Sequence, residues 1–190
     1  MGLFIQNVEL NGAVTDVLIE GNRIQSIHAG IDPVGHEILD GSAKAIIPGF
    51  INMHTHASMT LLRGYADDLH LHDWLNNHIW PLEAKLTEED IYHGARLAAL
   101  EMIKSGTTCF NDMYWYYHGV ARATEEMGLR AHLSSVFIDL NDADRAKMER
   151  EQAVKLFEES KSYCDRLSFA LGPHAMYTVS KKSLLWAKDF

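Results

Sequence analysis

Cysteine is nearly absent from this sequence: Cys109 and Cys164 are the only two, far apart and in no CxxC pair. Their scarcity excludes a disulfide framework and a thiolate zinc site, and it fits a reducing cytosol. Positive charge is also short, with 17 Lys and Arg against 26 Asp and Glu for a net charge of −9. Without a basic tract, the long-range field repels phosphate backbones, so nucleic acid is excluded as a partner. No run approaches the roughly 20 apolar residues that cross a membrane. The opening residues, Met1 to Gln6, lack the basic flank and apolar stretch of a signal peptide, and Gln6 stands where an acylation motif requires Ser or Thr. The expectation is a cytoplasmic chain with no membrane partner. Neither Gly-rich fingerprint of the dinucleotide and phosphate-loop enzymes occurs. The H-x-E and P-C-x-x-C elements of the cytidine-type zinc deaminases are missing too, and there is no internal repeat or low-complexity linker.

What is present is apolar material enough for a sizeable core, at 47% of 190 residues. Residues 1–47 alternate short apolar runs (FIQNVEL, TDVLIE, RIQSIHAG) with turn pairs at Asn11-Gly12 and Gly21-Asn22. That pattern predicts strands and hairpins, hence a small β segment in which His28 and His36 are surface or turn histidines. After Pro48-Gly49 the period changes. AIIPGFINMHTH is apolar enough for a strand buried on both faces, as in a parallel sheet. Thr87-Glu88-Glu89-Asp90 resembles a capping box, and Ile91, Ala95, Ala98, Met102 and Ile103 recur at helical spacing until Gly106. TTCFNDMY, LRAHLSSVFI and LSFALGP read as further strands. Helices are expected at 118–127, at 142–163 and after Ser180. The order β-α-β-α-β-α-β-α calls for a parallel sheet with right-handed crossovers. Four such units over residues 48–190 are the first half of a (β/α)8 TIM barrel, since a full barrel needs roughly 250 residues.

The chemistry is expected at His54 and His56. Two apart at the end of a buried strand, their side chains point to the same face, and the carboxyl end of barrel strands is where active sites are built. Two imidazoles there are neutral nitrogen donors for a divalent metal, zinc first, with iron or another divalent ion also compatible. The alternative is a pair satisfied by ordinary hydrogen bonds, but polar residues ending an apolar strand are costly unless paired or coordinated. A second H-x-H, His70 and His72, lies in a polar stretch of loop or helix, where residues two apart diverge by about 200°. It reads as loop or solvent-facing. His78, His93, His118 and His132 read as helix-face or core histidines.

At PGFINMHTHASMTLLRGYADDLHLHDWL the chain resembles the amidohydrolase superfamily. IWPLEAKLTEEDIYHGARLAALEMIKSGTTCFNDMY makes it similar to the deaminases of 5'-methylthioadenosine and S-adenosylhomocysteine. The resemblance runs over nearly the whole chain. It implies that residues 1–47 are the N-terminal part of a composite β-sandwich and that residues 48–190 begin a metal-centred barrel. It also implies that His54 and His56 are the first-strand metal pair. Glu83 of the WPLE segment would hold ribose hydroxyls and His174 of GPHAMYT would contact the nucleoside; a carboxylate is a good acceptor for a vicinal diol, and a histidine just past the fourth strand would face the same mouth. Where homocysteine-binding relatives carry an Arg late in the third strand, this chain has Ser134 and Ser135, with Arg145 the nearest replacement.

The implied activity is zinc-dependent hydrolysis of C–N bonds in cyclic amidines: deamination of a purine nucleoside such as 5'-methylthioadenosine, S-adenosylhomocysteine or adenosine, with release of ammonia. No catalytic acid or base is assigned, because the family draws its remaining ligands and proton shuttles from later strands. The isolated chain is therefore expected to be inactive, and to self-associate or pair with a missing C-terminal half. Two other readings stay open: a triazine, guanine or cytosine hydrolase using the same metal pair, and a non-catalytic truncated module.

Overall fold

The computed structural model describes residues 2–190 and divides into two compact units, Met1–Pro48 and Gly49–Phe190. In the first, the turn residues seen in the sequence separate β1 (Leu3–Leu10), β2 (Ala13–Glu20), β3 (Arg23–Ile27) and β4 (Glu37–Asp40). They form one sheet in the order β3-β2-β1-β4, with β1 antiparallel to β2 and parallel to β4. Phe4, Val8 and Val17 are its buried apolar residues. A register shift between Ile5 and Val8 sets Asn7 in the left-handed region, and buried Asp16 accepts from Asn7 N (2.9 Å) and Gly30 N (2.8 Å). Those N–H bonds, led by the one from Asn7, hold the Asp16 carboxyl below its usual range even though burial opposes them.

The second unit is an α/β layer on a four-stranded parallel sheet of order β5-β6-β7-β8. Its strands are β5 (Phe50–Thr55), β6 (Thr107–Met113), β7 (Arg130–Phe137) and β8 (Leu167–Pro173). A 3₁₀ turn at Ala57–Leu62 follows β5. Next comes a helical stretch of α1 (Leu71–Asp73), a π-helical turn at Trp74–Ile79 and α2 (Trp80–Glu83). The crossovers that follow use α3 (Glu88–Lys104), α4 (Tyr117–Met127) and α5 (Ala143–Ser160), and α6 (Lys181–Asp189) succeeds β8. Local chemistry fixes the ends of these helices. Thr87 and Asp90 form a reciprocal capping box on α3, Gly128 ends α4 with φ +79°, and Asp142 and Ser180 cap α5 and α6.

The main core is Ile91, Ala95, Ala98 and Met102 of α3 and Val120 and Ala121 of α4, packed with Phe110, Ala131 and Leu133 of the strands. A smaller cluster joins Phe137, Ala153 and Val179 with Trp186. Close approach needs glycine at Gly94, where a Cβ would fall 2.6 Å from Ser58 O. The gap lets Ser58 Oγ donate to Ile91 O (2.8 Å) and Thr60 Oγ1 to Gly94 O (2.8 Å), tying the turn after β5 to α3.

One expectation fails in detail. Phe50, Ile51 and Met53 of β5 are 57%, 62% and 69% exposed, where burial on both faces was expected. The cause is topological: among the described residues β5 is an edge strand paired only with β6, so part of its apolar surface has no neighbour.

Candidate active site

The His54 and His56 rings lie together, centroids 5.3 Å apart and planes at 75°. His54 is the penultimate residue of β5, and His56 follows its last. His56 Nδ1 is 2.6 Å from Met113 O at the tip of β6. A carbonyl can only accept, so Nδ1 is the donor in this contact, and in the neutral ring that leaves the Nε2 lone pair for a ligand. This is the outer-sphere arrangement that orients metal-ligating histidines.

Donor type and tautomer therefore fit a divalent metal. The count does not complete a site. Among the described residues no group of three or more His, Cys, Asp or Glu side chains is placed to hold an ion, and catalytic zinc usually takes three protein ligands.

The tip of β6 binds the surroundings through three consecutive residues. Asp112 Oδ1 accepts from Ala57 N (2.7 Å), Met113 O accepts from His56, and Tyr114 Oη donates to Glu83 Oε1 (2.6 Å). Burial pushes the Asp112 carboxyl up to about 6, against the pull of the Ala57 N–H and of His56. Burial and then the Glu83 bond raise the Tyr114 phenol well above its ordinary value, so it stays a donor.

Beside this lies a cleft of about 610 Å3 lined by Trp80, Glu83, Trp115, Tyr116, Arg145 and His174, together with Ala84, Ile138, Leu140 and Thr178. These residues follow β5, β6, β7 and β8 in turn, so all four strands deliver their carboxyl-end segments to one cavity. Glu83 and His174, far apart in sequence, are brought together. Arg145 joins them from the first turn of α5, its Nε donating to Glu149 Oε1 (3.0 Å). His174 Nδ1 is 2.9 Å from Thr178 Oγ1. Two non-glycine residues of the wall, Tyr116 (φ +53°) and Leu140 (φ +50°), sit in the left-handed region, and such strain collects at functional sites.

The remaining histidines fall elsewhere. His70 precedes α1 and His72 lies within it; both are exposed. His118 bonds Tyr163 and Glu159, and His132 pairs with Ser168. The sequence reading did not single out Tyr114, Trp80, Trp115 or Tyr116. The available signal was position: three of them directly follow β6, where residues reach the mouth of a parallel sheet.

Comparison with known proteins gives the family and the fold. The chain is 50% identical over 186 residues to a 5'-deoxyadenosine deaminase of Methanocaldococcus jannaschii, covering 96% of this chain and 44% of that protein. It is 49% identical over 180 residues to a 5-methylthioadenosine/S-adenosylhomocysteine deaminase of Thermococcus kodakarensis, covering 94% and 42%. The chain thus spans less than half the length of these curated relatives. Its fold superposes on a crystal structure of an adenosine deaminase from Xanthomonas campestris with bound zinc, at a TM-score of 0.82 and 31% identity, covering 98% of this chain and 46% of that one. The Amidohydrolase family matches residues 45–190, and the chain belongs to it.

Proposed function

We propose that this chain is the metal-and-nucleoside-binding front portion of a cytoplasmic zinc-dependent aminohydrolase. The whole enzyme deaminates an adenine nucleoside of the 5'-deoxyadenosine, 5'-methylthioadenosine or S-adenosylhomocysteine kind. The single observation that carries the reading is the cleft in which Glu83 and His174 meet, connected through Tyr114 to the His54 and His56 pair. Its aromatic walls, Trp80, Trp115 and Tyr116, suit stacking of a purine. Glu83 accepts the ribose hydroxyls, His174 contacts the nucleoside, and Arg145 offers a cation beyond them. Residues 48–190 supply the first half of a (β/α)8 barrel, and residues 1–47 supply part of a β-sandwich.

His54 and His56 would hold the metal through nitrogen lone pairs. When bound, zinc supplies Lewis acidity to the hydrolytic water. This chain's own residues bind and orient: Met113 O fixes the His56 tautomer, Glu83 and His174 set the sugar, and the aromatic walls exclude water from the base. Proton transfer and the remaining ligands fall to groups outside this chain, so on its own it is inactive and prone to self-associate.

The test is reconstitution. The chain is joined to the C-terminal portion of the Methanocaldococcus jannaschii relative and assayed for ammonia release with zinc. Deamination of 5'-deoxyadenosine, 5'-methylthioadenosine or S-adenosylhomocysteine that disappears on chelation and in His54→Ala is the expected result. A folded, zinc-loaded chimera that leaves all three untouched while hydrolysing guanine or a triazine would overturn the nucleoside assignment. Robust turnover by the 190-residue chain alone would overturn the division of labour.

A further inference from the structure

We infer that Tyr114 is a positioning residue that fixes the Glu83 carboxylate relative to the His54 and His56 pair, so that its hydroxyl governs recognition of the sugar and not of the base. The inference deepens the proposal above and rests on Glu83 being the acceptor for the ribose diol. Glu83 ends a helical run, Leu71–Glu83, that contains a π-helical turn, and among the described residues no group of that run bonds its carboxylate. Glutamate also has three rotatable bonds and loses much rotamer freedom when fixed. Something outside the segment must hold it.

Tyr114 is suited to that task. It is only 7% exposed, and its ring belongs to the main core, which leaves the phenol no freedom to wander. Its hydroxyl reaches Glu83 Oε1 at 2.6 Å, a charge-assisted contact. Among the described residues, Glu83 Oε2 has no hydrogen-bond partner, so the bond steers the carboxylate and leaves acceptor capacity for a ligand. On its other side the Tyr114 ring centroid is 6.2 Å from that of His56. The preceding residue, Met113, holds the His56 ring by its carbonyl, and Asp112 holds the Ala57 N–H. Three successive residues of one strand tip therefore set both ends of the site. A residue needed for packing alone would be served equally by phenylalanine, since a buried hydroxyl adds a polar group that demands a partner.

The experiment uses the 190-residue chain and the fluorescence of Trp80 and Trp115, which line the cleft. Adenosine, carrying the diol, and 2',3'-dideoxyadenosine, lacking it, are titrated into wild type, Tyr114→Phe and Glu83→Gln. The expected result is that Tyr114→Phe weakens adenosine binding about fivefold to tenfold, the size of one such hydrogen bond. Its affinity for the dideoxy nucleoside should stay at the wild-type value. Unchanged adenosine binding by Tyr114→Phe, while Glu83→Gln loses it, overturns the positioning role alone. Equal loss of both ligands in Tyr114→Phe marks a packing residue and overturns it as well. If Glu83→Gln binds adenosine like wild type, or wild type does not distinguish the two ligands, the assignment of Glu83 falls and this inference falls with it.

Discussion

At the scale of single residues, His56 commits one ring nitrogen to Met113 O, and among the described residues neither its other nitrogen nor the His54 ring beside it has a hydrogen-bond partner. Two imidazoles make a weak metal site compared with three, so zinc should bind this chain reversibly and depend on both rings. Competition against a chromogenic chelator is expected to show zinc uptake by wild type and none by His54→Ala or His56→Ala. Equal uptake by the double variant would remove the pair from the metal site. Asp139 offers a test unrelated to metal. It is 0% exposed, and it accepts from Asn141 N (2.9 Å), Ser180 N (2.8 Å) and Ser180 Oγ (2.7 Å), fastening the segment after β7 to the start of α6. Burial alone would raise its carboxyl, but the bonds from Ser183, Ser180 and Asn141 outweigh it and bring it down to about 2. A depressed folded value stabilises the fold above the unfolded value of about 4 and ceases to do so as pH falls toward 2. Urea midpoints should therefore drop between pH 4 and pH 2 in wild type, and that portion of the slope should be missing in Asp139→Asn. An identical acid limb in the variant would contradict the assignment.

At the scale of elements, Gly94 in the middle of α3 sets two known effects against each other. Alanine is the better helix former by about 1 kcal/mol, yet a Cβ here would lie 2.6 Å from the backbone oxygen of Ser58, which no side-chain rotation can relieve. Overpacking of this kind costs roughly 1–3 kcal/mol. Gly94→Ala is thus expected to lower the urea midpoint and to loosen the turn at Ala57–Leu62 that follows His56. A midpoint above wild type would mean that the turn moves freely. Elements of this sort were legible in the sequence to different degrees. The capping box at Thr87, the glycine stop at Gly128 and the alternation of strands with helices depend on neighbours in sequence, and all were readable there. The π-helical turn at Trp74–Ile79 was not, because nothing in its composition separates it from an ordinary helix. The same limit hid the bond from Tyr114 to Glu83 and the arrival of Arg145 in the cleft, since both join segments separated by whole β/α units. Glu83 and His174 could be named beforehand only through a family resemblance; spacing alone would have left Glu83 a solvated helix residue.

At the scale of the whole molecule, the governing feature is a sheet with two open edges and a strongly negative charge. The apolar pattern of β5 was readable, but its exposure was not, because burial depends on which strand lies next to it. Among the described residues, β6 covers one side of β5 and nothing pairs with the other, while β8 has only β7. Unpaired strand edges with exposed apolar side chains are templates for pairing, and an open edge that pairs with a different open edge need not close after one contact. Opposing this is the net charge of −9, which makes copies of the chain repel one another. Salt decides between them, since the repulsion is long-ranged and screened, with a Debye length of about 10 Å at 0.1 M, whereas strand pairing and apolar contact are short-ranged and are not. Sedimentation velocity is therefore expected to show species heavier than the 21.5 kDa monomer, their share rising as salt is raised. Ile51→Lys should shift the distribution toward monomer, because it places a charge on the exposed surface of β5 without emptying the core. A wild-type chain that stays monomeric at every salt and protein concentration would show that these edges do not pair in solution.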